Sequence, residues 1–264
     1  MSSKYFILLS FDVEEFDMPM EYYINESIEE QLKVGHDGLI IIKEMLRRKQ
    51  VNATLFTTGN FAIHYPKIIK ELSMTHEIAS HTFSHTAFHT KDLRESKDVL
   101  ERITGKEVTG IRMPRMRKTE MKEIAEAGYR YDSSVNPIWL PGRYNNLNKP
   151  RTPFLEDKIV CIPASVSTFL RIPLFWLSFK NLPYSVYLKL VLNAIRKDGH
   201  VCLYFHPWEF TDLHKYKLPG YTRKPDGEVL LKRLEKLIGD LADIGQFITM
   251  HSFYERTLLS GRLI

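Results

Sequence analysis

Short apolar runs alternate with amphipathic stretches along the whole chain, and no other feature constrains the fold as much. Strands are expected at 4–12 ("KYFILLSFD"), 53–57 ("ATLFT"), 76–80, 108–112, 129–133, 158–163, 200–205 ("HVCLYF") and 246–250. Helical patterns at 27–49, 60–73, 91–103, 118–127, 184–197 and 226–244 lie between them. In the last of these, Val229, Leu230, Leu234, Leu237, Ile238 and Leu241 recur at helical spacing. Such alternation implies an α/β fold of parallel strands with helices packed outside, as a closed barrel or an open sheet. The 264 residues fit one domain, 1–264, because α/β barrels reach this size undivided. Segment 136–183 is different. Prolines and turn residues interrupt it ("NPIWLPGRYNNLNKPRTPF"), so it reads as long loops over one face, where substrate contacts are common.

Polar residues sit where the expected strands end: Asp12 and Glu14, Thr57, His81, Arg112, Asp132, His206 and His251. Active sites of parallel-strand barrels lie at the carboxyl ends of the strands, so residues scattered in sequence would converge there. In "HEIASHTFSH", His81 and His85 are four apart. If the segment turns helically, their Cβ atoms lie roughly 5–6 Å apart, which suits two bonds to one zinc-like ion. The competing reading makes them capping or surface histidines. In "SFDVEEF", strand alternation points Asp12 and Glu14 the same way and Val13 the other. Two acids on one face of an apolar strand are costly without a cation, unless they begin a solvated loop.

Arg112, in "GIRMPRMR", would fix the orientation of a buried carboxylate beside it, while Arg115 and Arg117 read as rim charges. His206, in "LYFHPWEF", follows four apolar residues and precedes the strand-stopping Pro207, a good place for a general acid. Trp208 offers a flat face for a sugar or for packing. Asp132, in "YRYDSSVNP", either orients His206 across a pocket or caps the turn that follows.

Composition narrows the partners. A formal net charge of +5 favours phosphate-bearing substrates or anionic lipid surfaces, but no basic strip alternates with aromatics as nucleic-acid binding would need. Cys161 and Cys202 lie in apolar runs and read as buried free thiols. The first apolar run is short for a secretion signal and is followed by acids, so the chain reads as cytoplasmic. "FLRIPLFWLSFKNLPYSVYLKLVLNAIRK", with apolar residues and scattered cations, either docks peripherally on a membrane or closes the barrel as a loop and helix.

The ordered series "SFDVEEF", "HEIASHTFSH", "GIRMPR", "YDSSVNP" and "LYFHPWEF" resembles the NodB-type polysaccharide deacetylases, carbohydrate esterase family 4, from about residue 5 to residue 210. The stretch "VNATLFTTGNFAIHYPKIIKEL" is similar to the family's connection between its first two motifs. The resemblance implies a distorted barrel of about seven to eight strands, a divalent ion that is usually zinc, and hydrolysis of an N-acetyl group from an amino sugar. By position it implies His81 and His85 as metal ligands, Asp12 as catalytic base, Arg112 as its holder and His206 as general acid. Asp132 corresponds loosely to the acid that orients the histidine. Trp208 and Arg115 are expected to contact the substrate.

The first motif departs from the family, which usually has two adjacent aspartates, base then ligand. Val13 stands second here, and Glu14 is the natural replacement as ligand. Members with this first motif and "HPWE" resemble enzymes of surface-polysaccharide biosynthesis, with the N-acetylated glycan carried on a lipid, a nucleotide or a polymer. The resemblance also leaves open hydrolysis of another amide on the same fold, or a silent sugar-binding relative.

Overall fold

A computed structural model describes residues 5–260. Strand β1 (Phe6–Val13) leads through a short 3-10 turn to helix α1 (Ile28–Lys49). Ser27 caps α1 by accepting from the Glu30 N–H at 3.2 Å, with Glu29 and Glu30 in the first turn and Arg47, Arg48 and Lys49 in the last. Strand β2 (Thr54–Thr57) follows, then α2 (Gly59–His64) and α3 (Pro66–Leu72). The single helix expected over 60–73 is split because Pro66 lacks the N–H that would continue it. Next come β3 (Glu77–Ser80), α4 (Lys91–Thr104), β4 (Gly110–Ile111), α5 (Met121–Glu126) and β5 (Tyr131–Asp132).

The proline-rich segment holds two small hairpins, β6 (Trp139–Leu140) with β7 (Tyr144–Asn145), and β8 (Phe154–Glu156) with β9 (Ile159–Cys161). Helices α6 (Trp176–Asn181) and α7 (Tyr184–Asp198) then lead into β10 (His200–Phe205). The chain closes with α8 (Gly220–Arg223), α9 (Gly227–Ala242), β11 (Gln246–Phe247) and α10 (Met250–Ser260).

The main sheet runs β10-β1-β2-β3-β4-β5-β9-β8, with β11 also on β1. Every pairing is parallel except β8 with β9, so the sheet is a curled, distorted α/β barrel with one antiparallel edge. The open side is bridged beyond β9, where the Ser165 N–H donates to Cys202 O at 3.0 Å and Ser165 Oγ accepts from the Cys202 N–H at 2.9 Å.

Strand alternation sorts the core into two layers. Ile7, Leu9, Phe11 and Val13 face the helices, packed with Leu39, Ile42, Leu230 and Leu234. Leu8 faces the barrel interior with Phe56, Ala79, Tyr131, Val160 and Cys202. Met250 and Phe253 of α10 join that interior cluster. The run 246–250 is therefore strand for two residues only, after which α10 plugs the amino-terminal end of the barrel. Each such buried side chain contributes about 1.5–3 kcal/mol. Position 10 and position 12 share the inward face of β1, and both are polar. The barrel interior thus changes from apolar to polar along its axis, toward the carboxyl ends of the strands.

Candidate active site

Helix α1 lies directly against the site's backbone. A Cβ on Gly38 would stand 2.1 Å from Pro207 O, and one on Gly35 would stand 2.4 Å from Glu14 O. Only glycine permits α1 to hold the ends of β1 and β10 this closely.

Asp12, on β1, receives Arg112 Nη1 at 2.6 Å on Oδ1. Arg112 is fully buried, and Ser10 Oγ, Ser133 Oγ and Ser133 O accept its other N–H groups at 3.0, 3.0 and 3.2 Å. The Phe56 ring covers its guanidinium at 4.1 Å. A charge removed from water to this extent needs such partners on every donor. Oδ2 of Asp12 is left facing the cavity, 3.9 Å from His206 Nε2.

Glu14, one residue past β1, stands between two imidazoles. His81 Nε2 and His85 Nε2 each lie 3.1 Å from Glu14 Oε2. His81 Nδ1 is 2.8 Å from Arg112 O, a carbonyl that can only accept, so Nδ1 carries the hydrogen and Nε2 the lone pair. His85 Nδ1 faces Asp17 Oδ2 at 2.8 Å, an ion-pair contact that favours the hydrogen on the same nitrogen without an aligned hydrogen bond. Two lone pairs and a carboxylate oxygen are aimed at one point, and Glu14 Oε2 has no hydrogen-bond donor. Burial opposes charge here. Even so, His85, His206 and His81 hold the Glu14 carboxyl far below its ordinary range, and Glu14 and Asp17 push His85 up to about 9. The site therefore demands a positive charge among these three groups. Two imidazole nitrogens and one carboxylate are the donor set of a catalytic zinc-type centre, with a position left for water, and the residues fit such an ion.

The loop carrying the histidines is not helical, contrary to the helical turn considered from spacing. Thr82 has φ of 61° instead, strained for a β-branched residue. Gly59 N–H and Asn60 N–H donate to Thr82 O and Phe83 O at 2.9 and 2.8 Å, pinning the loop. The two rings end 5.5 Å apart and 25° from parallel.

His206, just past β10, stacks on Trp208 at 4.9 Å and meets Trp176 edge-on at 5.2 Å. Its Nδ1 is 3.1 Å from Glu209 Oε1, and its backbone N–H donates to the same oxygen at 2.8 Å. Lys180, fully buried, lies 3.3 Å from Glu209 Oε2. Burial disfavours the imidazolium, but Glu14, Glu209 and Asp12 raise the His206 pKa above the ordinary value.

Four expectations need correction. Asp132 does not reach His206. Its carboxylate accepts from the N–H and hydroxyl of Ser134, so it caps the turn, and Glu209 holds the histidine in its place. Trp208 is 1% exposed and offers no face to a sugar; it packs under His206 and donates from Nε1 to Glu14 Oε1 at 3.1 Å. His251 lies at the opposite end of the barrel, where its N–H donates to Glu77 Oε2 at 2.9 Å and Nδ1 meets Thr109 Oγ1 at 2.9 Å. Thr57 is buried with its hydroxyl on Leu55 O.

Asp12, Glu14, His81, His85, Arg115 and His206 share one cavity of about 350 Å³ with Asn136, Tyr144, Trp176 and Tyr204. Arg115 is on its rim, donating to Asp17 Oδ2 at 2.8 Å and Glu21 Oε1 at 2.9 Å. Asn136 Oδ1 is buried without a donor. Asp17, Glu209 and Trp176 were not singled out from sequence. The "HPWEF" stretch did hold one usable signal, an acid three residues after a histidine and across a proline turn.

The polysaccharide deacetylase family model matches residues 41–131, which include His81, His85 and Arg112. Peptidoglycan-N-acetylmuramic acid deacetylase PdaA of Bacillus subtilis is 32% identical over 100 residues, 34% of this chain and 38% of its own length. The match thus spans under half of that relative. A protein described as a polysaccharide deacetylase from Mycobacterium smegmatis superposes with TM-score 0.69 at 19% identity, covering 100% of this chain and 93% of the other. PuuE allantoinase superposes at 0.62 with 14% identity, covering 97% and 90%. At such identities these structures show the shared fold.

Proposed function

We propose, from the family-model match over residues 41–131, that the chain is a NodB-type polysaccharide deacetylase, a metal-dependent hydrolase removing N-acetyl groups from the amino sugars of a surface polysaccharide or its precursor. One observation carries the metal dependence: His81 Nε2, His85 Nε2 and Glu14 Oε2 converge, with the His81 tautomer fixed by Arg112 O and Asp17 facing His85 Nδ1. A divalent ion held by these three, zinc by its donor chemistry, would polarise the acetyl carbonyl and acidify a water.

The remaining chemistry belongs to the chain. Asp12 Oδ2 takes a proton from the attacking water, while Arg112 keeps Oδ1 engaged and the carboxylate in place. His206 Nε2 gives a proton to the departing nitrogen, so the amide C–N bond breaks to acetate and free amine. Glu209 fixes the Nδ1 hydrogen of His206 and supports its positive form. Asn136 Oδ1, buried and without a donor, accepts from an N–H or hydroxyl of the sugar. Arg115 on the rim is free to contact the glycan with what its pairing to Asp17 and Glu21 leaves exposed. A carrier, lipid or nucleotide, remains outside a cavity of about 350 Å³, which holds little more than the reacting sugar.

Acetate release from N-acetylated amino sugars, free and carrier-linked, tests the reading. Activity should vanish with a chelator and return with zinc. Turnover of allantoin or another amide, with none of N-acetyl sugars, would keep the chemistry and replace the substrate. Metal-independent activity, or none on any amide, would overturn the proposal.

A further inference from the structure

We propose that the loops beside the cavity form a docking surface for an anionic membrane, which brings the site to a glycan carried on a lipid. Phe169 and Leu170 lie at the tip of a loop closed by a bridge between Val166 and Pro173, and are 91% and 71% exposed. Trp139, on the neighbouring β6-β7 hairpin, is 62% exposed. The two are tied together: Arg171 Nη1 donates to Pro137 O at 2.9 Å and to Lys149 O at 3.0 Å. Leu140, Arg143 and Tyr144 of the hairpin, and Pro173 of the loop, line the cavity, while Trp139, Phe169 and Leu170 stand outside it on the same two segments. Large side chains with no polar group stand at a loop tip for a partner as apolar as themselves. Leu170 has neither a hydrogen-bonding group nor an aromatic face to offer a sugar.

The positive charge of the chain is concentrated in the stretch of sequence that carries them. Residues 136–198 hold nine Lys or Arg against three Asp or Glu, a surplus of six, whereas the formal net charge of the whole chain is +5. Everything outside this stretch is thus close to neutral. Of the nine, Lys180 is buried and the other eight are at least partly exposed. Arg143, Lys149 and Arg151 have acidic partners; Lys158, Arg171, Lys189, Arg196 and Lys197 form no ion pair among the described residues. Arg151 joins the parts, donating to Thr168 O at 2.7 Å and to the Asp198 carboxylate at the end of α7. Apolar tips next to a basic flank match a leaflet rich in anionic lipid. Helix α7 itself closes the barrel, burying Tyr187, Val191, Ala194 and Ile195, so the apolar contact falls to the loops.

The lipid-linked substrate rests on the deacetylase reading, but the membrane contact does not, and the test separates them. The full chain is sedimented with vesicles of phosphatidylcholine alone and of phosphatidylcholine with an equal part of phosphatidylglycerol. Binding is expected to the mixed vesicles, weakened by salt and reduced at least tenfold in F169S/L170S. Neither residue lines the cavity, so that variant should keep its circular dichroism and its turnover of a free N-acetyl sugar. D12N should bind vesicles like the unchanged chain, so a failed acetate assay with retained binding would sink the activity alone. No binding to mixed vesicles, or binding untouched by F169S/L170S, would overturn the surface. If F169S/L170S instead loses affinity for a soluble N-acetylglucosamine oligomer while vesicles never bind, the loop is a glycan subsite and the proposal falls.

Discussion

Trp208 Nε1 donates a 3.1 Å hydrogen bond to Oε1 of Glu14, and this contact decides which oxygen of that carboxylate faces the two histidines. Oε1 is taken by the indole, and Oε2 is turned to His81 and His85. A residue expected to stack on sugar instead holds Glu14, the carboxylate proposed as a metal ligand. Trp208→Phe keeps a buried ring and removes the hydrogen bond. It should lower zinc affinity by about 10–100-fold, read by competition with a chromogenic chelator.

Glu209 supplies the second prediction. Its carboxylate, 3.1 Å from His206 Nδ1, is one of the charges that raise the pKa of that imidazole against the effect of burial. A general acid must be protonated, so a raised pKa carries activity to higher pH. Glu209→Gln should move the alkaline limb of the kcat profile to lower pH and lower kcat at pH 8 by about tenfold or more. Metal content should not change.

Asp132 gives a prediction of the opposite kind. Burial raises its pKa from 3.8 to about 6, opposed by its hydrogen bonds from Ser134. The folded chain therefore binds this proton more tightly than the unfolded chain does. Stability falls as pH rises from about 4 to about 6, and the cost above that is about 3 kcal/mol. Asp132→Asn keeps the turn and removes the titration. Thermal melts should show the variant above the parent at pH 7 and level with it below pH 4, with acetate release changed by less than about threefold.

The alternation of strands and helices was legible because helical and strand periods differ, and the ends of β1, β3, β4 and β10 could be located from it. Polar residues at those ends then marked the site. Aromatic burial was not legible: "HPWEF" reads the same whether Trp208 faces solvent or lies beneath His206. The run "QFITM" was ambiguous for a related reason, since Ile248 and Met250 pack into the barrel end whether or not the strand continues. Near 157, Asp157 and Lys158 both take positive φ, 46° and 69°, and make a tight hairpin from what read as the start of a single strand. Asp17 and Glu209 act behind the reacting groups, through contacts set by α1 and the 207–210 turn, and their spacing alone did not assign them.

The division of labour between Asp12 and Glu14 is the centre of this account. Zinc content per chain, measured on purified Asp12→Asn and Glu14→Gln proteins by elemental analysis, tests it most directly. Asp12→Asn should keep about one ion per chain and lose acetate release by about a thousandfold, whereas Glu14→Gln should lose the ion. An Asp12→Asn protein without zinc beside a Glu14→Gln protein that retains it would contradict the assignment.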